Sequence, residues 1–162
     1  MTASFVLRDA VVADAADITR LVYDLAVFER IADEAIATEA DFREQLFGRT
    51  PAAEAMVAEV DGRVIGIAIW FYSFNTFTCR RGLYVEDVFV EAEYRGLGIG
   101  RAFFRAMAQH ALRAGCSRME WSVLDWNERA VAFYRSMGAV GMEDWTVQRL
   151  SKDKVAALAK EA

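Results

Sequence analysis

Apolar positions along the chain alternate between two periods, and the switches outline the secondary structure. Phe5 and Leu7 alternate with Val6 and Arg8, the signature of a short strand; Ile18, Leu21, Val22, Leu25 and Phe28 then recur at the spacing of one helical face. Thr38, with Asp41 three positions on, resembles a capping box and predicts a second helix through Phe42 and Leu46 that ends near Gly48 and Pro51. Met56 to Val60 and Val64 to Tyr72 read as two strands of a hairpin. The Asp61-Gly62 pair between them tolerates the positive backbone angles of a two-residue turn. The second arm is apolar on both faces and should be central. Leu83 to Val90 predicts a further strand, Ala102 to Ala114 a helix stopped by Gly115, Met119 to Leu124 a strand, Asn127 to Met137 a helix closed by Gly138, and Trp145 to Leu150 a last strand. The tail shows only weak helical spacing at Val155 and Leu158. This order describes an α+β domain with helices on both faces of its sheet, because strict strand–helix alternation is missing.

The 162 residues and 18.2 kDa are one domain's worth of chain, and the single domain is expected to span residues 1–162. A hydrophobic content of 55% excludes a disordered segment. The net charge of −5 has the wrong sign for a phosphate-backbone binder, so nucleic acid is not an expected partner, whereas a cationic small molecule is. Much of the acidity is local: between Glu29 and Glu44 six acids face two arginines. Cys79, Cys116 and the one histidine, His110, supply neither a disulfide framework nor a zinc site, so free thiols, no metal and a reducing compartment are expected. The longest apolar run, Val64 to Tyr72, is half the length of a membrane span, and the N-terminus shows no signal pattern. A cytoplasmic location without membrane partners follows as an expectation.

Tyr94-Arg95-Gly96-Leu97-Gly98-Ile99-Gly100 lies between a predicted strand and a predicted helix, where backbone N–H groups can point at an anion at the positive end of the helix dipole. It fits neither the dinucleotide fingerprint nor the Walker loop, and three glycines with Arg95 exceed what a plain turn requires. Arg95-x-x-Gly98-x-Gly100 resembles the cofactor motif of the Gcn5-related N-acetyltransferases (GNAT). Asn127, Ala130, Phe133, Tyr134, Gly138 and Ala139 resemble that family's second cofactor motif. Leu83 to Val90, Trp126-Asn127-Glu128 and the opening Phe5 to Ala10 are similar to its diamine and polyamine (spermidine/spermine) branch. That similarity runs from about Phe5 to Leu150 and is weakest at Ser73 to Gly82, where the branch usually carries Asp-Pro-Trp and this chain has Asn75-Thr76-Phe77-Thr78.

The resemblance implies a mixed, mostly antiparallel sheet of six to seven strands, acetyl-CoA as co-substrate and a homodimer. It also implies that Gly96, Leu97, Gly98, Ile99, Gly100 and Arg101, with Arg95, hold the coenzyme A diphosphate, and that Asn127, Ala130 and Ser136 line the cofactor's other side. Backbone groups of Val88, Phe89 and Val90, on a strand that splays from its parallel neighbour, would take the pantetheine arm, and one N–H there would stabilise the oxyanion. Phe28, Glu29, Glu120, Trp121, Ser122, Glu143 and Asp144 would line the amine end.

Acetylating an amine first requires removing its proton. With an amine pKa of about 10.4, the neutral form at pH 7 costs roughly 4.6 kcal/mol. Glu86, sharing a face with Tyr84 and Val88 by alternation in an apolar strand, is the candidate general base, through water; a buried carboxylate paired with an arginine is the alternative. Asp87, on the opposite face, could hold a substrate nitrogen or cap backbone groups. Tyr134 occupies the position of the family's general acid, where it would protonate the leaving thiolate, while Phe133 reads as packing. Cys116 lacks a neighbouring base, so direct transfer is expected over an acetyl-cysteine route. Three functions compete: acetylation of a small cationic amine (diamine, polyamine or lysine analogue), acetylation of a protein or peptide, and acyl-CoA sensing without turnover.

Overall fold

A computed structural model describes residues 4–161. The chain forms two compact units, one up to Ser122 and one from Val123. The first holds a five-stranded sheet in the order β1 (Val6–Asp9), β2 (Glu54–Val60), β3 (Arg63–Asn75), β4 (Arg80–Val90) and β5 (Met119–Glu120). All neighbours are antiparallel except β4 and β5, which run parallel. β3 is central, and Val64 to Trp70 are buried without interruption, as the unbroken apolar run requires. Asp61 and Gly62 take φ of 49° and 78° in the β2–β3 turn.

Two helices cover one face of this sheet: α1 (Ala15–Phe28) and α2 (Glu39–Phe47). Ile18, Leu21 and Leu25 of α1 and Leu46 of α2 pack on Val57, Ile67, Ile69 and Phe89. Thr38 and Asp41 form the expected capping box, the Asp41 N–H donating to Thr38 Oγ1 at 3.3 Å and the Thr38 N–H to Asp41 Oδ2 at 2.8 Å. The opposite face is covered by α3 (Ile99–Arg113), whose Phe103 and Met107 are fully buried and whose His110 ring lies 5.2 Å from that of Trp70. Gly66 makes the α3 approach possible: a Cβ there would stand 3.0 Å from the Phe89 carbonyl oxygen and 3.3 Å from the Phe103 ring.

The second unit contains α4 (Glu128–Arg135) and α5 (Lys152–Leu158). Two sequence expectations are corrected. The sheet has five strands among the described residues, not six to seven: β5 stops at Glu120 instead of Leu124, and Trp145 to Leu150, although alternating, is paired with no strand. Alternation specifies faces, but a strand also needs a partner for its backbone groups. The tail does fold as a helix, α5. No helix among the described residues is long and apolar enough to cross a membrane.

Replacing Gly66 with alanine should push against a carbonyl that has little room to retreat. A loss of about 1–3 kcal/mol in urea denaturation is expected, the usual cost of overpacking.

Candidate active site

The site grows from an irregularity in β4. Along the β3–β4 ladder Phe71 pairs with Tyr84 and Trp70 with Val85, but the next pair is Ile69 with Asp87, so Glu86 is an extra residue with no partner. Such a bulge resets the alternation. Val85 shares the α3 face with Trp70, whereas Asp87 and Phe89 share the α1 face with Ile69 and Ile67. The simple period-two reading, which put Glu86 beside Tyr84 and Val88 in a buried row, does not survive this. Glu86 is exposed and Asp87 is the half-buried carboxylate. Parallel pairing of β4 with β5 covers only Leu83–Met119 and Tyr84–Glu120. From Val85 to Val90, β4 therefore has β3 on one side and, among the described residues, no strand on the other.

Asp87 sits in an acidic neighbourhood. Its carboxyl is pushed up to about 6, first by burial and then by the charges of Glu86 and Glu29. Burial also raises Glu29, which follows the last residue of α1. None of the three makes a salt bridge among the described residues, so within that set no ion pair offsets their negative charge. Phe28 precedes Glu29, and the Arg95 guanidinium lies over its ring at 5.0 Å and over that of Phe89 at 5.4 Å. Arg95 Nε donates to the Val90 carbonyl at 2.9 Å. The loop arginine thus braces the end of β4 against the end of α1, a contact that sequence spacing could not reveal.

The glycine loop leaves a single-turn helix at Ala92–Tyr94 and runs into α3. Gly96 and Gly98 adopt φ of 84° and 85°, with nothing within 4 Å of where a Cβ would stand. Gly98 caps α3 without a side-chain hydrogen bond, and no acid lies in the helix's first turn. The positive end of the dipole is therefore not neutralised by a side chain, and the loop keeps the open space that a phosphate group needs for close approach. These residues fit a coenzyme A diphosphate.

Other predicted positions have partners of their own. Tyr84 Oη and Ser122 Oγ are 2.9 Å apart, the Trp121 ring meets that of Phe104 edge-on at 4.9 Å, and Glu120 pairs with Arg118 at 2.7 Å. In the second unit the Asn127 side chain accepts the Ala130 N–H at 3.2 Å, so two residues of the second motif make the cap of α4. Ser136 Oγ donates to the Phe133 carbonyl at the other end of that helix. Tyr134 is half-buried and stands 5.5 Å from the Phe133 ring, while Glu143 and Asp144 are exposed beyond α4. A cavity of about 260 Å³ lined by Thr19, Val22, Tyr23, Ala35, Ala37 and Phe42, with Arg20, contains none of the predicted site residues.

Comparison with known proteins places the chain in a family. A model of the acetyltransferase (GNAT) family matches residues 19–139. The chain is 34% identical to the thialysine N-epsilon-acetyltransferase of Bos taurus over 94% of its own length and 96% of the relative's. It is 28% identical to the L-ornithine N5-acetyltransferase of Arabidopsis thaliana, over 95% and 87%. Among solved structures, an integron cassette protein from the mobile metagenome of V. cholerae superposes with a TM-score of 0.82 at 24% identity, covering 99% of each chain. That likeness shows the fold. The family match covers most of the chain and the thialysine relative nearly all of it, and on that ground the chain belongs to the GNAT family of acetyltransferases.

Proposed function

We propose that this chain transfers the acetyl group of acetyl-CoA to a primary amine of a small cationic substrate, a diamine, polyamine or lysine analogue, directly within a ternary complex. The observation that carries the reading is the trio Glu29, Glu86 and Asp87, which make no salt bridge among the described residues, at the end of β4 next to an anion-ready glycine loop. The thialysine and ornithine acetyltransferases named among the relatives act on amines of this class. The family match runs across the boundary between the two compact units, which supports reading residues 1–162 as one catalytic domain. The homodimer is carried forward from the family resemblance, and the cytoplasmic location from the free thiols and the short apolar runs of the sequence.

Acetyl-CoA supplies the activated acyl group as a thioester. Residues Gly96 to Arg101 and the backbone of Val88 to Val90 would hold it, and the family resemblance assigns Asn127, Ala130 and Ser136 as further cofactor contacts. Asp87 and Glu29 receive the substrate ammonium: a carboxylate destabilised by burial recovers that cost when a cation arrives. Glu86, exposed at the bulge, takes the amine proton through water and passes it to solvent, so the nitrogen gains the lone pair that attack requires. Tyr134 Oη donates a proton to the leaving sulfur.

Purified protein with acetyl-CoA and a panel of diamines, polyamines, lysine analogues and peptides should release thiol with the small amines and not with the peptides. Silence across the small amines, beside an active control enzyme, would falsify the proposal.

Tyr134→Phe should lower kcat by roughly a hundredfold, the usual weight of a general acid, while the affinity for coenzyme A measured by calorimetry stays unchanged. A sensor without turnover would have no rate to lose.

Asp87 ionises near pH 6, so kcat/KM for the amine should fall about tenfold per unit below that pH, and Asp87→Asn should abolish this limb while raising the amine KM. The sign for stability is the reverse. A carboxyl whose folded pKa lies above its ordinary 3.8 destabilises the fold when ionised, so its contribution improves as pH falls from about 6 toward 4. At neutral pH the cost is about 3 kcal/mol at 1.36 kcal/mol per pKa unit; Asp87→Asn should therefore raise Tm at pH 7.5, with the gain disappearing near pH 4.

A further inference from the structure

Beyond the carboxylates of the amine end, β4 leads into one more buried acid. Glu91, only 9% exposed, is one of three buried polar residues among those described. Its Oε1 accepts from two arginines, Arg20 Nη1 of α1 and Arg63 Nη2 at the start of β3, the latter at 2.8 Å. Arg20 is itself fixed, donating through Nη2 to the Val64 carbonyl at 2.8 Å and to Asp17 at 2.9 Å. The Glu91 backbone is held as tightly: its N–H donates to the Ile65 carbonyl and its carbonyl accepts the Tyr94 N–H, both at 3.0 Å. Glu91 is thus both the last residue hydrogen-bonded to the sheet and the start of the turn that delivers the glycine loop. Its side-chain partners lie on α1 and at the start of β3, none of them in the loop or among the residues assigned to the amine.

A buried carboxylate matched by two partly exposed arginines is a poor way to gain stability, since the cost of removing the acid from water offsets much of the attraction. What it supplies is direction: two guanidinium groups from separate elements locate one carboxylate, and with it the point where the chain leaves β4. We propose that Glu91, together with Arg20 and Arg63, is a positioning residue for coenzyme A, setting cofactor affinity by fixing the exit of β4 so that the amides of Gly96 to Gly100 converge on one diphosphate position. This rests on the reading of that loop as the coenzyme A cradle. Amides displaced by a fraction of an ångström lose alignment with a phosphate oxygen although none of them is altered.

The test is calorimetric titration with coenzyme A plus steady-state kinetics on wild type, Glu91→Gln, Glu91→Ala, Arg63→Ala and the double variant Glu91→Ala/Arg63→Ala. Glu91→Ala should raise the coenzyme A Kd and the acetyl-CoA KM together, roughly tenfold, with the amine KM and kcat at saturating cofactor within about twofold of wild type. Glu91→Gln keeps an oxygen acceptor and should recover most of the affinity. The double variant should be no worse than Glu91→Ala, because both changes break the same contact. A lowered Tm with the coenzyme A Kd unmoved, or amine and acetyl-CoA KM values rising equally, would overturn the inference by showing a role in folding alone. Should Glu91→Ala fail to fold, Arg63→Ala, which removes one of the two guanidinium groups, carries the comparison: a raised coenzyme A Kd is expected, and an unmoved Kd there is the overturning result. Wild type that binds no coenzyme A would overturn the cradle reading itself, and this inference with it.

Discussion

A carboxylate removed from water must be compensated, and β4 handles that constraint in two opposite ways within five residues. Glu91 is matched by Arg20 and Arg63, which reach it from the surface and satisfy its charge. Asp87 has Glu86 and Glu29 for company, and its carboxyl is pushed up to about 6, first by burial and then by their charge. Partly burying Asp87 beside two like charges is unfavourable for folding. The arrangement becomes favourable when a cation enters. On the proposed reading, the amine is the missing partner, and the protein holds free energy in Asp87 that is released on binding.

The bulge at Glu86 makes this division possible. A regular strand would have put Asp87 on the face of Val85, under α3, where Phe103 and Met107 leave no space for charge. One inserted residue turns Asp87 toward the end of α1 and leaves Glu86 exposed, so adjacent acids acquire different surroundings. Two carboxylates with different environments can divide the work, one to hold a cation and one to exchange a proton with solvent.

Arg95 links the two halves of the proposed site. Its guanidinium lies against Phe28, the neighbour of Glu29, and against Phe89, while its Nε donates to the Val90 carbonyl. An arginine that the motif reading assigns to the diphosphate therefore also braces the amine end. The strand exit is held at one residue by the Arg95 contact and at the next by Glu91, which explains how a glycine-containing loop keeps a defined course.

Local chemistry was legible in the sequence wherever neighbours along the chain decide the outcome: the Asp61-Gly62 turn, the Thr38–Asp41 capping box, the central run of β3, and the glycine loop before α3, whose residues also carried the family resemblance. The site's electrostatics were not. Alternation predicted a buried Glu86, and a register shift against β3 left Glu86 exposed and made Asp87 the half-buried acid instead. The Arg20–Glu91–Arg63 network joins residues whose spacing has no periodic signature. The pattern at Trp145 to Leu150 promised a strand, and among the described residues that segment forms none. Turns, caps and helical faces depend on residues a few positions apart, so sequence determines them; register, burial and charge compensation depend on which distant segments meet, and only the tertiary structure decides that.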